Sequence, residues 1–268
     1  MALASMSEIF ERMARNGQEF WEVVLADDMD ERQVSREASM AKMLTTWQAM
    51  QDAADSYTGR KRSVSGLVGG DGMKMRQYTF RGCAMTGGYV SEVIAEALSM
   101  AESNACMRRI VAAPTAGACG VLPAVLLPLC KYEELTQHQL LEALYVAAGI
   151  GSVIAYKASI AGASGGCQAE IGTASAMAAG ALVALRGGEG EQIGHAVAMA
   201  LKNLMGLVCD PVAGLVEVPC VKRNVIGAVN AVSAADMALA GIESRIPVDE
   251  VIDAMGEVGR RMPVEFRE

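Results

Sequence analysis

Three cysteines carry the reactive potential of this chain, all within residues 162 to 224. Cys167 follows two glycines in Gly162-Ala-Ser-Gly-Gly-Cys-Gln-Ala-Glu170. Cys209 stands two residues before a proline in Leu207-Val-Cys-Asp-Pro-Val-Ala-Gly214, and Cys220 directly follows one in Val218-Pro-Cys-Val-Lys-Arg-Asn224. A thiol on a backbone that turns at a helix end can point into a cleft. Three such thiols are what an iron–sulfur cluster needs if one iron is to stay open to a substrate. Zinc is the main metal rival, but no Cys-x-x-Cys pair and no nearby histidine supports it. Of the other cysteines, Cys83, Cys106 and Cys130 read as small buried hydrophobes. Cys119 reads either as a fourth thiol or, more simply, as a buried filler.

Other groups can be assigned to substrate. The stretch Ala112-Ala-Pro-Thr-Ala-Gly-Ala-Cys-Gly120 is a Gly/Pro loop ahead of an apolar helix. Free N–H groups and the helix dipole there favour an anion, and Thr115 adds a hydroxyl beside Gly117. Gly59 to Gly72 is a second polar, glycine-rich loop. Its Ser65, Gly66, Gly69, Gly70 and Asp71 can present N–H groups to an anion, or simply connect two layers. Lys74 and Arg76 follow it and can hold a carboxylate. Lys202 and Asn203 flank the Cys209 motif. Each of these polar residues has a plainer reading as a cap or a solvated side chain. Of the two histidines, His138 sits in a polar helix start and His195 near the start of another helix. His195 is the weak candidate for a proton acceptor. Lys157 is a buried base or a lysine that snorkels to the surface.

The elements that must position these groups are helical. Hydrophobic residues make up 52% of the chain and aromatic residues only 4%, with 28 glycines and 18 methionines. Small residues let helix backbones approach and methionine fills gaps, so an all-α fold with an Ala/Gly/Met-rich central layer is expected. Periodicity predicts helices over 5–27 and 30–56, the second started by Asp30 or Ser35, with Trp21 and Trp47 as core anchors. It continues with 85–105 and 121–132, then a helix capped by Thr136 and Gln139 that runs on to about 160. Residues 171–185 are apolar all round and belong at the centre. Helices over 191–208, 225–241 and from Pro247 to Arg260 complete the set, and Leu215 to Val218 is the best candidate strand. One domain over 1–268 results, with 1–58 as a peripheral layer and 60–262 as the core.

Composition excludes several classes. A formal charge of −8 and a pI near 5.0 argue against nucleic acid. Arg60-Lys61-Arg62 is the one basic run, and it reads as a solvated loop. Ile110 to Cys130 has 21 uncharged residues, long enough for a membrane span. Its three prolines favour a buried loop plus helix. Seven cysteines without a secretory opening point to a reducing cytoplasm.

Three blocks resemble the α chain of the bacterial iron–sulfur-dependent L-serine dehydratases. They are Ala113-Pro-Thr-Ala-Gly117, Gly165-Gly-Cys-Gln-Ala-Glu170, and the long run Asn203-Leu-Met-Gly-Leu-Val-Cys-Asp-Pro-Val-Ala-Gly-Leu-Val-Glu-Val-Pro-Cys220. The resemblance covers roughly residues 60 to 262. Its cysteine spacing also agrees, 42 residues from Cys167 to Cys209 and 11 from Cys209 to Cys220. It implies an all-helical catalytic domain in which these three cysteines hold a [4Fe–4S] cluster. The implied reaction turns L-serine into pyruvate and ammonium, a step of amino-acid catabolism and gluconeogenesis. It also implies a partner, because family members carry a β domain or a separate β chain. This chain has no room for one and so reads as the α subunit of an oligomer, with the base supplied by the β chain. Family members usually continue into a glycine-rich tail, whereas this sequence stops at Arg267-Glu268. A pyridoxal-phosphate lyase using a lysine such as Lys157, and a non-catalytic helical membrane or scaffold protein, are the alternatives.

Overall fold

Long runs of alanine, leucine and methionine favour helix, and almost every polar break in them becomes a helix end. The computed structural model describes residues 3–267, among which there are twelve α-helices and no strand. They are α1 Met6–Asn16, α2 Phe20–Arg32, α3 Arg36–Asp55, α4 Asp71–Phe80, α5 Gly87–Ala105 and α6 Val121–Tyr132. After these come α7 Gln137–Lys157, α8 Gly162–Gly165, α9 Thr173–Leu185, α10 Gly190–Leu204, α11 Cys220–Leu239 and α12 Val248–Arg261.

Helix α9 is the axis. Thr173 through Val183 is buried without a break, as an all-round apolar helix requires. It packs against α6, α7, α10 and α11. Its contact with α7 is so close that a Cβ at Gly180 would lie 2.2 Å from Ile150 Cδ1.

The first three helices form the outer layer but are not separate from the core. Met6, Ile9, Phe20, Trp47 and Met50 belong to the same buried cluster as α9. Trp47 is buried, while Trp21 is partly covered and meets His138 edge-on. The single helix expected over 5–27 is two, because Gly17 turns the chain in the left-handed region at φ 63°. Ser35, not Asp30, caps α3.

Thr136 and Gln139 form the expected capping box on α7. Helix α7 is long and apolar enough to cross a membrane, yet 67% of its most apolar window is buried inside the molecule. The uncharged 110–130 stretch is a loop followed by the 12-residue α6. Two elements escaped the periodicity. Helix α4 fills what read as the end of a loop, and α11 starts at Cys220 rather than at 225. The strand expected at 215–218 is absent, and Leu215 and Val216 are exposed loop residues.

Candidate active site

Three segments separated in sequence meet where α9 and α11 begin. Cys167 lies at the mouth of a single π-helical turn, Gln168–Gly172, that leads into α9. Such turns concentrate at functional sites. Cys209 lies in the loop after α10, and Cys220 is the first residue of α11. Two of the three thiols therefore open helical segments, where the backbone dipole favours a negative sulfur.

Single polar side chains hold these segments together. Gln168 is buried and works at both ends: its Oε1 accepts from Gly206 N–H at 2.8 Å, and its Nε2 donates to Met255 O at 3.2 Å. The Gln168 N–H also donates to Leu207 O at 2.9 Å. The Cys167 turn and the approach to Cys209 are thereby fixed to each other and to α12. Asn224, fully buried in α11, donates to Gly117 O at 2.7 Å and to Cys220 O at 3.1 Å. Its Oδ1 accepts from Gly120 N–H at 2.9 Å. The Thr115 loop is thus tied to the Cys220 turn. Arg223 donates to Val208 O at 2.8 Å and lies 2.5 Å from the Asp210 carboxylate, bracketing Cys209 from both sides. The buried Glu217 accepts from Ser63 at 2.7 Å and also from Ser65, clasping the 59–70 loop onto the cysteine loop.

The three thiols share one electrostatic neighbourhood. Burial pushes Cys167 up to about 12, with Arg223 opposing the rise and Glu170 and Cys209 adding to it. Burial pushes Cys220 up to about 11, again with Cys209 and Glu170 adding and Arg223 opposing. Arg223 itself is raised: burial works against its charge, but Cys167 and Asp210 outweigh that.

Among the described residues no three His, Cys, Asp or Glu side chains converge as ligands of a single metal ion would. A cluster makes a different demand, because each thiolate meets its own iron and the donors surround a volume rather than a point. Two buried thiols and the half-buried Cys220, two of the three at helical N-termini, fit such a group.

The other candidates divide. The Thr115 hydroxyl donates to Glu170 Oε1, and Gly117 lies against that carboxylate, where a Cβ would come within 2.7 Å of Oε1. Both belong to the site. Lys74 is on its outskirts, exposed and 2.8 Å from Asp71, which also receives Lys222 at 2.8 Å. Asn203 faces elsewhere: it donates to Asn230 at 2.7 Å, and Asn230 in turn ties α10 and α11 to Ser175 of α9. His195 is not brought in either. It lies roughly 9 Å along α10 from Leu201 and roughly 13 Å from Leu204, the two residues of α10 beside the π turn at Gly172.

His138 pairs with Glu142 at 2.9 Å on the surface. Lys157 is engaged by Asp253 at 3.2 Å and Asp249 at 3.7 Å, away from the thiols. Cys119 is a buried filler whose thiol lies 3.7 Å from Met100 O. Cys83 and Cys130 are exposed, not buried as expected, and Cys106 is half-buried. Gln168, Glu170, Glu217, Arg223 and Asn224 are the site residues that pattern reading missed. Gln168, Glu170 and Glu217 lie inside the family-like blocks and Arg223 and Asn224 just beyond them, a signal that marks the segments without singling out these side chains.

Comparisons with known proteins identify the family. The family model described as "Serine dehydratase alpha chain" matches residues 15–268. A probable L-serine dehydratase alpha chain of Bacillus subtilis is 47% identical over 92% of this chain and 82% of its own length. An L-serine dehydratase alpha chain of Peptoniphilus asaccharolyticus is 39% identical over 99% of this chain and 91% of its own. L-serine dehydratase 2 of Escherichia coli is 47% identical over 64% of this chain, but only 38% of its own length is covered. A match over nearly the whole chain, with alignable relatives on both sides of 40% identity, leaves one conclusion: the chain belongs to the serine dehydratase alpha chain family.

Proposed function

We propose that this chain is the catalytic α chain of a two-chain L-serine dehydratase, converting L-serine to pyruvate and ammonium. The observation that carries the reading is the meeting of Cys167, Cys209 and Cys220 with Thr115 and Glu170, within a family described as serine dehydratase alpha chains. The names of the relatives support the substrate, and "alpha chain" supports a second subunit.

The reaction has two difficulties. Hydroxide leaves poorly, and the Cα proton is weakly acidic. Cys167, Cys209 and Cys220 are the residues that would hold a [4Fe–4S] cluster. When bound, it supplies a Lewis-acidic iron where negative charge develops on the departing oxygen. The chain's own part is to bury Cys167 and Cys209, to half-cover Cys220, and to hold their segments in register through Gln168 and Asn224. Arg223 keeps a positive charge beside Cys167, which favours the thiolate form. The Cα proton goes to a base, which the reading assigns to the β chain because neither histidine of this chain stands at the thiols. The proposed enzyme is an α–β oligomer in a reducing cytoplasm, in keeping with cysteines that form no disulfide.

The test is iron and sulfide analysis after anaerobic reconstitution, with a serine-to-pyruvate assay run with and without a candidate β chain. Iron, sulfide and pyruvate formation in the assembled enzyme support the reading. A protein that makes pyruvate without iron, or holds none with its partner present, overturns it. Activity that survives prolonged aeration would also count against an open iron.

A further inference from the structure

We infer that two loop tips, 64–67 and 212–216, form the surface on which the second chain docks, with the cations of 60–62 and 108–109 as its rim. The partner meets this surface with an apolar face edged by carboxylates. The inference rests on the two-chain dehydratase reading and locates the interface within it.

Two loops distant in sequence make one surface. Ser63 N–H donates to Val68 O at 3.0 Å and Gly66 N–H to Ser63 O at 3.0 Å, so 63–68 is a tight turn. Glu217 accepts from Ser63 and Ser65 and fastens this turn beside the loop that joins Cys209 to Cys220. With both serine hydroxyls engaged there, the turn presents aliphatic side chains to the outside. Val64 is 94% exposed and Leu67 65%. Val212, Leu215 and Val216 are exposed on the neighbouring loop. Charged residues make up 20% of the chain, yet none occurs in 63–70 or in 211–216. An exposed, uncharged and aliphatic surface of this kind is the material of an interface centre.

The rim is charged, and with one sign. Arg60, Lys61 and Arg62 lead into the turn. Arg62 Nη1 lies at its base, where a Cβ on Gly70 would come within 2.8 Å of it. Lys61, Met107, Arg108 and Arg109 line one groove of about 460 Å³, with Asp52 as its one acid. Among the described residues none of these five cations has a carboxylate at ion-pair distance, whereas Lys74 and Lys222 both lie 2.8 Å from Asp71. In a chain of net charge −8 this is a local reversal of sign. It steers an acidic partner toward the apolar surface and fixes its orientation. A second copy of this chain is a poor occupant, since a two-fold contact brings the same unpaired cations together. The second chain of the enzyme fits on a further count. The 211–216 stretch lies between Cys209 and Cys220, so a partner seated on it reaches the thiols, where neither histidine of this chain stands.

The test is assembly of the full α chain with the purified β chain, followed by calorimetry at low and high salt. Circular dichroism and iron content check each variant. Val64→Asp combined with Leu67→Asp puts charge into the apolar centre and should weaken assembly roughly thirtyfold or more. Lys61→Glu combined with Arg109→Glu should weaken it roughly tenfold at low salt and much less at high salt. Phe80→Asp and Met85→Asp should leave assembly unchanged, because these equally exposed side chains sit at the far end of α4 and in the segment after it.

Undiminished assembly of a folded double aspartate variant overturns the assignment, as does an equal loss from Phe80→Asp. Two further results overturn it in favour of other occupants. One is self-association of the wild-type α chain that Leu67→Asp abolishes. The other is binding of the wild-type chain, but not the variant, to phosphatidylserine vesicles. Should the double aspartate variant not fold, the charge-reversed pair decides, and assembly indifferent to both charge reversal and salt overturns the inference. Wild-type chains that assemble but form no pyruvate sink the dehydratase reading and leave the docking surface standing.

Discussion

The middle of α9 and the thiol neighbourhood at its N-terminal end lie a few turns apart and are built on opposite principles. From Thr173 to Val183 the helix is held by close contact of small apolar groups, with Gly180 against Ile150. At the thiols such packing is also present, with Cys167 and Ile171 in the core cluster, but polar tethers are added to it. Loops with irregular backbone are held by single side chains that reach across long sequence separations: Gln168 to residue 255, Asn224 to residue 117, Glu217 to residue 63. The difference teaches that shape and chemistry fail separately here.

That separation can be broken from either side. Replacing Cys167, Cys209 or Cys220 with serine should remove iron binding and activity to background while leaving the far-ultraviolet circular dichroism of the helices intact. Cys106→Ser should leave both unchanged. Retention of full iron by any of the first three variants would contradict the contrast.

Gly180→Val attacks the other region. It forces volume against Ile150, Ile193 and Val197, and it should cost about 1–3 kcal/mol in urea unfolding. A midpoint equal to that of the wild type would show that α7 and α9 can move apart.

Asn224→Ala lies between the two. It strands Gly120 N–H and Gly117 O in the interior and should cost about 1–3 kcal/mol. Its second effect, a drop in pyruvate formation larger than that of a surface helix variant of equal stability, identifies Asn224 as a tether of the site.

The smallest effect is a control far from the thiols. Burial raises the Glu96 carboxyl above its ordinary 4.5, although Arg76 at 2.9 Å opposes the rise. The folded state therefore holds this proton more tightly than the unfolded chain. Its contribution to stability is fully present below about 4.5 and is lost as pH rises through the folded value. Glu96→Gln should flatten that part of the stability–pH curve, and an unchanged slope would reject the assignment.

The same contrast explains what could be read from the chain. The all-α class, the buried 173–185 helix and the Thr136 capping box follow from periodicity and local hydrogen bonding, which a sequence states directly. The grouping of Cys167, Cys209 and Cys220 is an expectation drawn from their glycine and proline neighbours together with the spacing of the family-like blocks. Thr115 and Gly117 were legible as parts of a loop before a helix. Nearness in sequence to a motif does not fix which way a helix residue such as Asn203 faces. Asn203 points into a ladder with Asn230. Gln168 and Asn224 were invisible as functional residues. Their partners lie 87 and 107 positions away, and no spacing rule encodes such a bond. The split of 5–27 at Gly17 and the loss of the 215–218 strand are smaller cases, in which one backbone angle or the lack of a pairing partner outweighed the local pattern.

Gln168 has a consequence for how the chain tolerates change in length. Its amide locks the start and the finish of a helical excursion, α9 outward and α10 back, at one point. Residues added at the far bend, around Arg186 to Glu189, would lengthen the excursion without altering the distance between the sulfurs at its base. An acid in place of the amide lacks the donor and a methionine lacks both functions, so neither can close that junction. Insertions should accumulate at the bend, while position 168 keeps its amide.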